Sequence, residues 1–137
     1  HVIPGLIRRF HDAKISNYST VEVWGSGKPK REFMHVDDMA DACIYLNNID
    51  RSAYDKCIYP CSHINIGSSK EILIRDLAEI IKQIVGYKGK IIFNETKPDG
   101  NPSKLMDSQR LKDLNWQPKI SLNIGLKDVY EDFLKVK

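Results

Sequence analysis

Apolar positions at the start of the chain fall at helical spacing. Ile3, Leu6, Ile7 and Phe10 lie at i, i+3, i+4 and i+7, which predicts a helix over residues 2–14. Pro4 is tolerated in the first turn, where its missing N–H has no helical partner to lose. The rhythm then changes to alternation. Val21-Glu22-Val23-Trp24 reads as a strand, and Gly25-Ser26-Gly27-Lys28-Pro29 ends it as a turn. Arg31 to Val36 reads as a second short strand. Asp37 or Asp38 is the expected cap of a helix whose inward stripe is Met39, Ala42, Cys43, Leu46 and Ile49.

Residues 50–62 have no period and are expected to form a loop. His63-Ile64-Asn65-Ile66-Gly67 alternates like a strand, and Ser68 or Ser69 would cap a helix over 70–85. That helix has the stripe Leu73, Leu77, Ile80, Ile81 and Ile84, with Gly86 as its left-handed stop. Lys90 to Phe93 is a strand, and Lys97 to Lys104, with two prolines and a glycine, is a loop. Asp107 opens a short helix ending near Asn115. Ser121 caps the last helix, with Leu122, Leu126, Val129 and Phe133 inward. The order α-β-β-α-β-α-β-α-α describes an α/β unit with α+β character. A complete doubly wound nucleotide domain needs a glycine-rich turn running from a strand into a helix. Here Gly25-Ser26-Gly27 runs into Lys-Pro-Lys instead.

Length and composition narrow the class. The chain has 137 residues, 42% hydrophobic and 28% charged, which is ordinary for a globular domain and excludes a collagen or a disordered tail. A net charge of +3 is too mild for a dedicated nucleic-acid binder but suits a local anion site. Three cysteines do not make a disulfide framework, which points to a reducing, cytoplasmic compartment. No apolar run approaches a membrane span, and no signal peptide is recognisable, so no membrane role is expected. The chain starts at His1 inside a patterned segment, as expected for a piece of a longer protein.

Four constellations carry candidate chemistry. Arg8 and Arg9 lie off the apolar stripe of the first helix, while Trp24, Lys28, Lys30 and Arg31 surround the Gly-Ser-Gly turn. Arginine grips phosphate through a planar fork of donors, and an indole stacks on a base or sugar. Together they suit a nucleoside diphosphate; the plainer alternative is a solvated basic face with a core tryptophan. Lys97 to Lys104 offers lysines for phosphate and Asp99 for a ribose hydroxyl, or is an ordinary surface loop. Cys57, Cys61 and His63 have the wrong spacing for the usual zinc pairs, so no metal site is expected. His35-Val36-Asp37-Asp38 invites acid–base chemistry, though helix capping explains its carboxylates more simply.

Taken together, several runs are more specific than any one of them. His1-Val-Ile-Pro-Gly-Leu-Ile-Arg-Arg-Phe-His11 opens the chain, and Arg31-Glu-Phe-Met-His-Val-Asp-Asp38 follows the turn. Ser62-His-Ile-Asn-Ile-Gly67, Val85-Gly-Tyr-Lys-Gly-Lys90 and Lys97-Pro-Asp-Gly-Asn-Pro-Ser-Lys104 complete the set. With these runs the whole chain resembles the C-terminal part of the GDP-L-fucose synthase family, also called GDP-4-keto-6-deoxy-D-mannose 3,5-epimerase/4-reductases. That family is a branch of the extended short-chain dehydrogenases acting on nucleotide sugars.

The resemblance implies that residues 1–137 are a substrate-binding C-terminal portion, with the glycine-rich NADP-binding Rossmann part upstream of His1. It implies conversion of GDP-4-keto-6-deoxy-D-mannose to GDP-L-fucose by C3/C5 epimerisation and NADPH reduction at C4. His1 matches the family histidine that moves protons and lies beside the cofactor. Arg9, Trp24 and Arg31 match residues holding the GDP-sugar, and Asp99 and Lys104 fall in the matching substrate loop, Lys104 and Arg31 facing the diphosphate. The partners implied are the GDP-sugar and a second copy in a homodimer. The catalytic serine, the Tyr-x-x-x-Lys pair and the partner cysteine would also lie upstream, so this chain by itself is expected to be inactive. The alternatives are another nucleotide-sugar epimerase or dehydratase, and a non-catalytic nucleotide- or polyanion-binding module.

Overall fold

A computed structural model describes residues 1–58 and 60–136. The elements in chain order are α1 (Val2–Ile15), β1 (Thr20–Trp24), β2 (Lys30–Glu32), α2 (Val36–Asn48) and α3 (Arg51–Cys57). There follow β3 (Glu71–Leu73), α4 (Ile74–Val85), β4 (Lys90–Asn94), α5 (Gln109–Asp113) and α6 (Leu122–Lys135). The expected α/β character holds. β1 and β4 form a parallel pair in the register Thr20↔Lys90 through Trp24↔Asn94, and β2 pairs with β3 in a second two-stranded sheet. The chain divides into two compact units, residues 1–31, 72–103 and 123–137 in the first and 32–71 and 104–122 in the second.

In the first unit, β1 alternates as its sequence requires, with Val21 and Val23 buried and Thr20, Glu22 and Trp24 outward. Leu6, Ile7, Phe10 and Ala13 of α1 join Leu77, Ala78, Ile81 and Val85 of α4 in the core. Burying each of the larger side chains contributes about 1.5–3 kcal/mol. Phe10 meets Tyr87 at 5.6 Å between ring centroids. Gly86 ends α4 at φ +74°, the left-handed stop expected from sequence. Lys14 donates to the Val85 carbonyl at 2.8 Å, placing a cation at that helix C-terminus. On α6, Leu126 and Tyr130 are buried, and the Tyr130 hydroxyl lies 3.1 Å from Nδ1 of the buried His11.

The second unit has its core at Ala42, Leu111 and Trp116, with Met34, Tyr45, Leu46, Ile64 and Ile66 packed around them. Trp116 Nε1 donates to Asp41 at 2.9 Å. Glu32 accepts from the Ser69 amide at 2.6 Å and the Met106 amide at 3.1 Å.

Several expected boundaries are corrected. The segment expected as a loop over 50–62 contains α3, a helix with no buried residue, started by Asp50 and braced by the Arg51–Asp55 ion pair at 2.8 Å. Tyr59, within that segment, lies outside the described residues. Residues 63–67 alternate but form no strand. The helix expected from residue 70 starts at Ile74, because Glu71–Leu73 is taken up as β3; Leu73, not Ser68 or Ser69, holds the cap position. The strand expected to run to Val36 ends at Glu32. Neither Asp37 nor Asp38 caps α2: His35 does, its Nδ1 accepting from the Asp37 amide at 3.2 Å. Met39 and Cys43 are exposed rather than part of the inward stripe of α2, and on α6 Val129 is exposed while Tyr130 faces inward.

Candidate functional site

The C-terminal end of β1 carries the chemistry. Alternation sends Trp24 outward, and its side chain is 64% exposed, which excludes the core-tryptophan reading. The chain then turns through Gly25, whose amide donates to the Asn94 carbonyl at 2.9 Å. Gly25 has φ +81°, and a Cβ there would collide with the Asp99 carboxylate, so glycine is required on two counts. Both Asp99 oxygens are engaged on Ser26: one accepts from its amide at 2.8 Å, the other from its hydroxyl at 2.6 Å. The Ser26 hydroxyl and then its amide hold the Asp99 carboxyl below its ordinary value. Arg75 reinforces the turn from α4, donating to the Ser26 carbonyl at 2.8 Å while its guanidinium lies 5.5 Å over Phe93.

Arg31 follows the turn. Its Nη1 donates to the Asn101 carbonyl at 2.7 Å, and the Lys30 amide donates to Pro102 at 2.8 Å, so the 97–102 loop is stitched along the turn. A cleft of about 220 Å³ results, lined by Val2, Trp24, Pro29, Arg31, Pro98 and Asp99 among others. A neighbouring cleft of about 480 Å³ is lined by Arg9, Tyr18, Glu22 and Trp24 among others. Arg9 reaches it from α1, its Nη1 donating to the Glu22 carbonyl at 3.0 Å. Trp24 is therefore common to both clefts.

The structure thus brings Trp24, Arg31 and Asp99 to one cleft and Arg9 with Trp24 to the next. Among the described residues lining these clefts, neither His1 nor Lys104 appears. His1 is exposed at the head of α1, its carbonyl accepting from Gly5 at 3.2 Å, and the residue after it, Val2, lines the first cleft. Lys104 falls in the second compact unit, where its amide donates to Glu71 at 3.3 Å. Ser26 and Arg75 were not singled out from sequence; their roles depend on the pairing of segments some 50–70 residues apart, which no local spacing reveals.

The Gly25–Gly27 turn does not fit a dinucleotide pyrophosphate. Its Ser26 amide is taken by Asp99, the Lys28 amide donates to the Ser26 hydroxyl at 3.1 Å, and the chain continues into β2 rather than a helix. The remaining candidates serve local structure. Asp38, 3% exposed, accepts from the Lys119 and Ile120 amides at 3.1 and 2.9 Å. Arg110 donates to the Cys61 and His63 carbonyls at 2.7 and 2.8 Å and to Cys61 Sγ at 3.2 Å. No group of three potential metal-ligating side chains is present among the described residues.

Residues 1–67 match the NAD dependent epimerase/dehydratase family. The chain is also similar to GDP-L-fucose synthases. It is 52% identical over 135 residues to putative GDP-L-fucose synthase 2 of Arabidopsis thaliana, covering 98% of this chain and 39% of that protein. It is 48% identical over 136 residues to the GDP-L-fucose synthase of Escherichia coli K12, covering 98% of this chain and 42% of that protein. The chain therefore spans about two-fifths of the length of these relatives. A GDP-mannoheptose C4 reductase from Campylobacter jejuni with NADP bound superposes with a TM-score of 0.84 at 38% identity, over 98% of this chain and 45% of that one.

Proposed function

We propose that this chain is the GDP-sugar-binding portion of an NADPH-dependent enzyme that converts GDP-4-keto-6-deoxy-D-mannose to GDP-L-fucose. The observation that carries this reading is an exposed indole, Trp24, sharing one cleft with the Arg31 guanidinium. An aromatic face suits a base or sugar, and a guanidinium suits the diphosphate. Arg9, on the adjoining cleft, adds a second cation along the same ligand. Asp99 supports the site through the turn, and Lys104 is a further candidate for the diphosphate. The kinship with GDP-L-fucose synthases supports the choice of GDP over other nucleotides.

The chemistry needs a proton taken from each carbon flanking the C4 ketone and returned on the other face, with hydride then delivered to C4. His1 is the residue of this chain suited to the proton transfer. NADPH would supply the hydride, and in this reading it would be held mainly by the rest of the protein. The intact enzyme is a cytoplasmic homodimer in this reading, and the present chain is inactive by itself.

Titration calorimetry on the full-length protein tests the site. GDP binds in preference to UDP, and Trp24→Ala weakens GDP by roughly 5- to 150-fold, as loss of a stacking partner does, while leaving the thermal midpoint in place. A preference for UDP would favour a different nucleotide-sugar epimerase. Steeply salt-dependent binding of any polyanion, with no nucleotide selectivity, would reduce the chain to a basic binding module.

A further inference from the structure

The ring of Trp24 has a partner of its own. Lys97 Nζ lies 5.4 Å from the indole centroid, a distance at which an ammonium is attracted to the ring face. The backbone brings the two side chains together. Trp24 is in register with Asn94 across the parallel β1–β4 pair. The Asn94 carbonyl accepts both from the Gly25 amide, next to Trp24, and from the Lys97 amide at 3.2 Å. The Asn94 side chain closes the intervening turn, accepting from the Thr96 amide at 3.1 Å and hydroxyl at 2.6 Å. On the far side of Lys97, Asp99 is fastened to Ser26. Both residues are thus held on backbone tied at each end.

This arrangement answers a physical difficulty. An indole 64% exposed has few neighbours to fix its rotamer, and ordering it at the moment of binding subtracts from affinity. A cation seated over one face restricts the ring beforehand and leaves a single face for a ligand. We propose that Lys97 is a positioning residue for nucleotide recognition: it pre-orients Trp24 so that the remaining indole face stacks on the base. The inference rests on the reading of Trp24 as a nucleotide contact.

A double-mutant cycle on the full-length protein, read as GDP dissociation constants with thermal midpoints alongside, tests it. Lys97→Gln weakens GDP about 2- to 5-fold, the factor expected for an exposed cation–π contact, and lowers the midpoint only slightly, because the contact it removes is already present in the free protein. Lys97→Arg restores affinity, because a guanidinium also stacks on an indole. In a Trp24→Ala background, Lys97→Gln has no further effect. Equal weakening by Lys97→Gln in both backgrounds would mean that the ammonium touches the nucleotide directly, and would overturn the proposal. So would a Lys97→Gln variant of unchanged affinity where Trp24→Ala binds weakly. Unchanged GDP affinity in Trp24→Ala would overturn the site reading itself, and this inference with it.

Discussion

Two glycines of the first unit make a matched test of the site's backbone. Gly25 sits at φ +81° with the Asp99 carboxylate where its Cβ would go, whereas Gly5 lies inside α1 with no neighbouring atom nearer than 3.6 Å to a built Cβ. The same chemical change, glycine to alanine, therefore has opposite signs. At Gly25 the left-handed backbone costs alanine roughly 1–2 kcal/mol. The narrower unfolded ensemble returns about 0.4–1 kcal/mol. The net conformational loss is about 1 kcal/mol, and displacement of Asp99 from Ser26 adds to it. At Gly5, alanine gains about 0.5–1 kcal/mol as the better helix former. The two variants should differ by about 2 kcal/mol in urea unfolding of the full-length protein, with Gly25→Ala below the parent and Gly5→Ala above it. Gly25→Ala should also weaken GDP, since the turn carries Trp24 on one side and Arg31 on the other. A Gly25→Ala variant as stable as the parent, or two variants moving in the same direction, would refute the account of the turn.

Three further outcomes follow from the packing and the titrating groups. Leu77→Ala, at a fully buried position of α4, should destabilise by about 2–5 kcal/mol, and Ile80→Ala, half-buried on the same helix, by less; the urea midpoints of the pair check this. Asp99 has its carboxyl held below the ordinary 3.8 by Ser26. Its contribution is therefore complete above that pH and lost as acid protonates the folded state. Asp99→Asn should flatten that part of the acid limb of the stability curve. Tyr130 is the converse case, because burial raises its hydroxyl above the ordinary 10.0. The native state keeps this proton longer than the unfolded chain does, so stability falls as pH rises past 10.0; Tyr130→Phe, followed by alkaline unfolding, should lack that decline.

Whether an element was legible in the sequence depended on where its partners lie. α1 and α4 could be read from Leu6, Ile7 and Phe10 and from Leu77 and Ile81, because a helix that buries one stripe writes its own period. β1 could be read because Val21 and Val23 alternate with Glu22, but the sequence left Trp24 open between core and surface, and its exposure decides it. α3 could not, since Arg51–Cys57 has no fully buried residue, its N-cap Asp50 makes no side-chain cap bond, and its Arg51–Asp55 ion pair is not an apolar stripe. Residues 63–67 have a strand's alternation, yet alternation alone supplies no ladder. The reverse holds at Glu71–Leu73, where pairing with β2 overrides the helical pattern that begins nearby.

The site divides along the same line. Trp24 and Arg31 were readable as chemistry, one aromatic and one fork of donors flanking a glycine turn. What organises them was not. Asp99 reads from sequence as a loop carboxylate free to meet a ribose, but its oxygens are committed to Ser26, a residue 73 positions away. Lys97 reads as a phosphate cation, but it lies on the ring of Trp24. Both reassignments follow from the parallel register of β1 and β4, which sets Asn94 beside Trp24 and so places the whole 97–102 loop along the turn. The charged side chains of that loop therefore act first on the protein's own recognition surface. A substitution in the loop should be judged by whether it disturbs Trp24 and Ser26 before it is counted as a lost contact to the nucleotide.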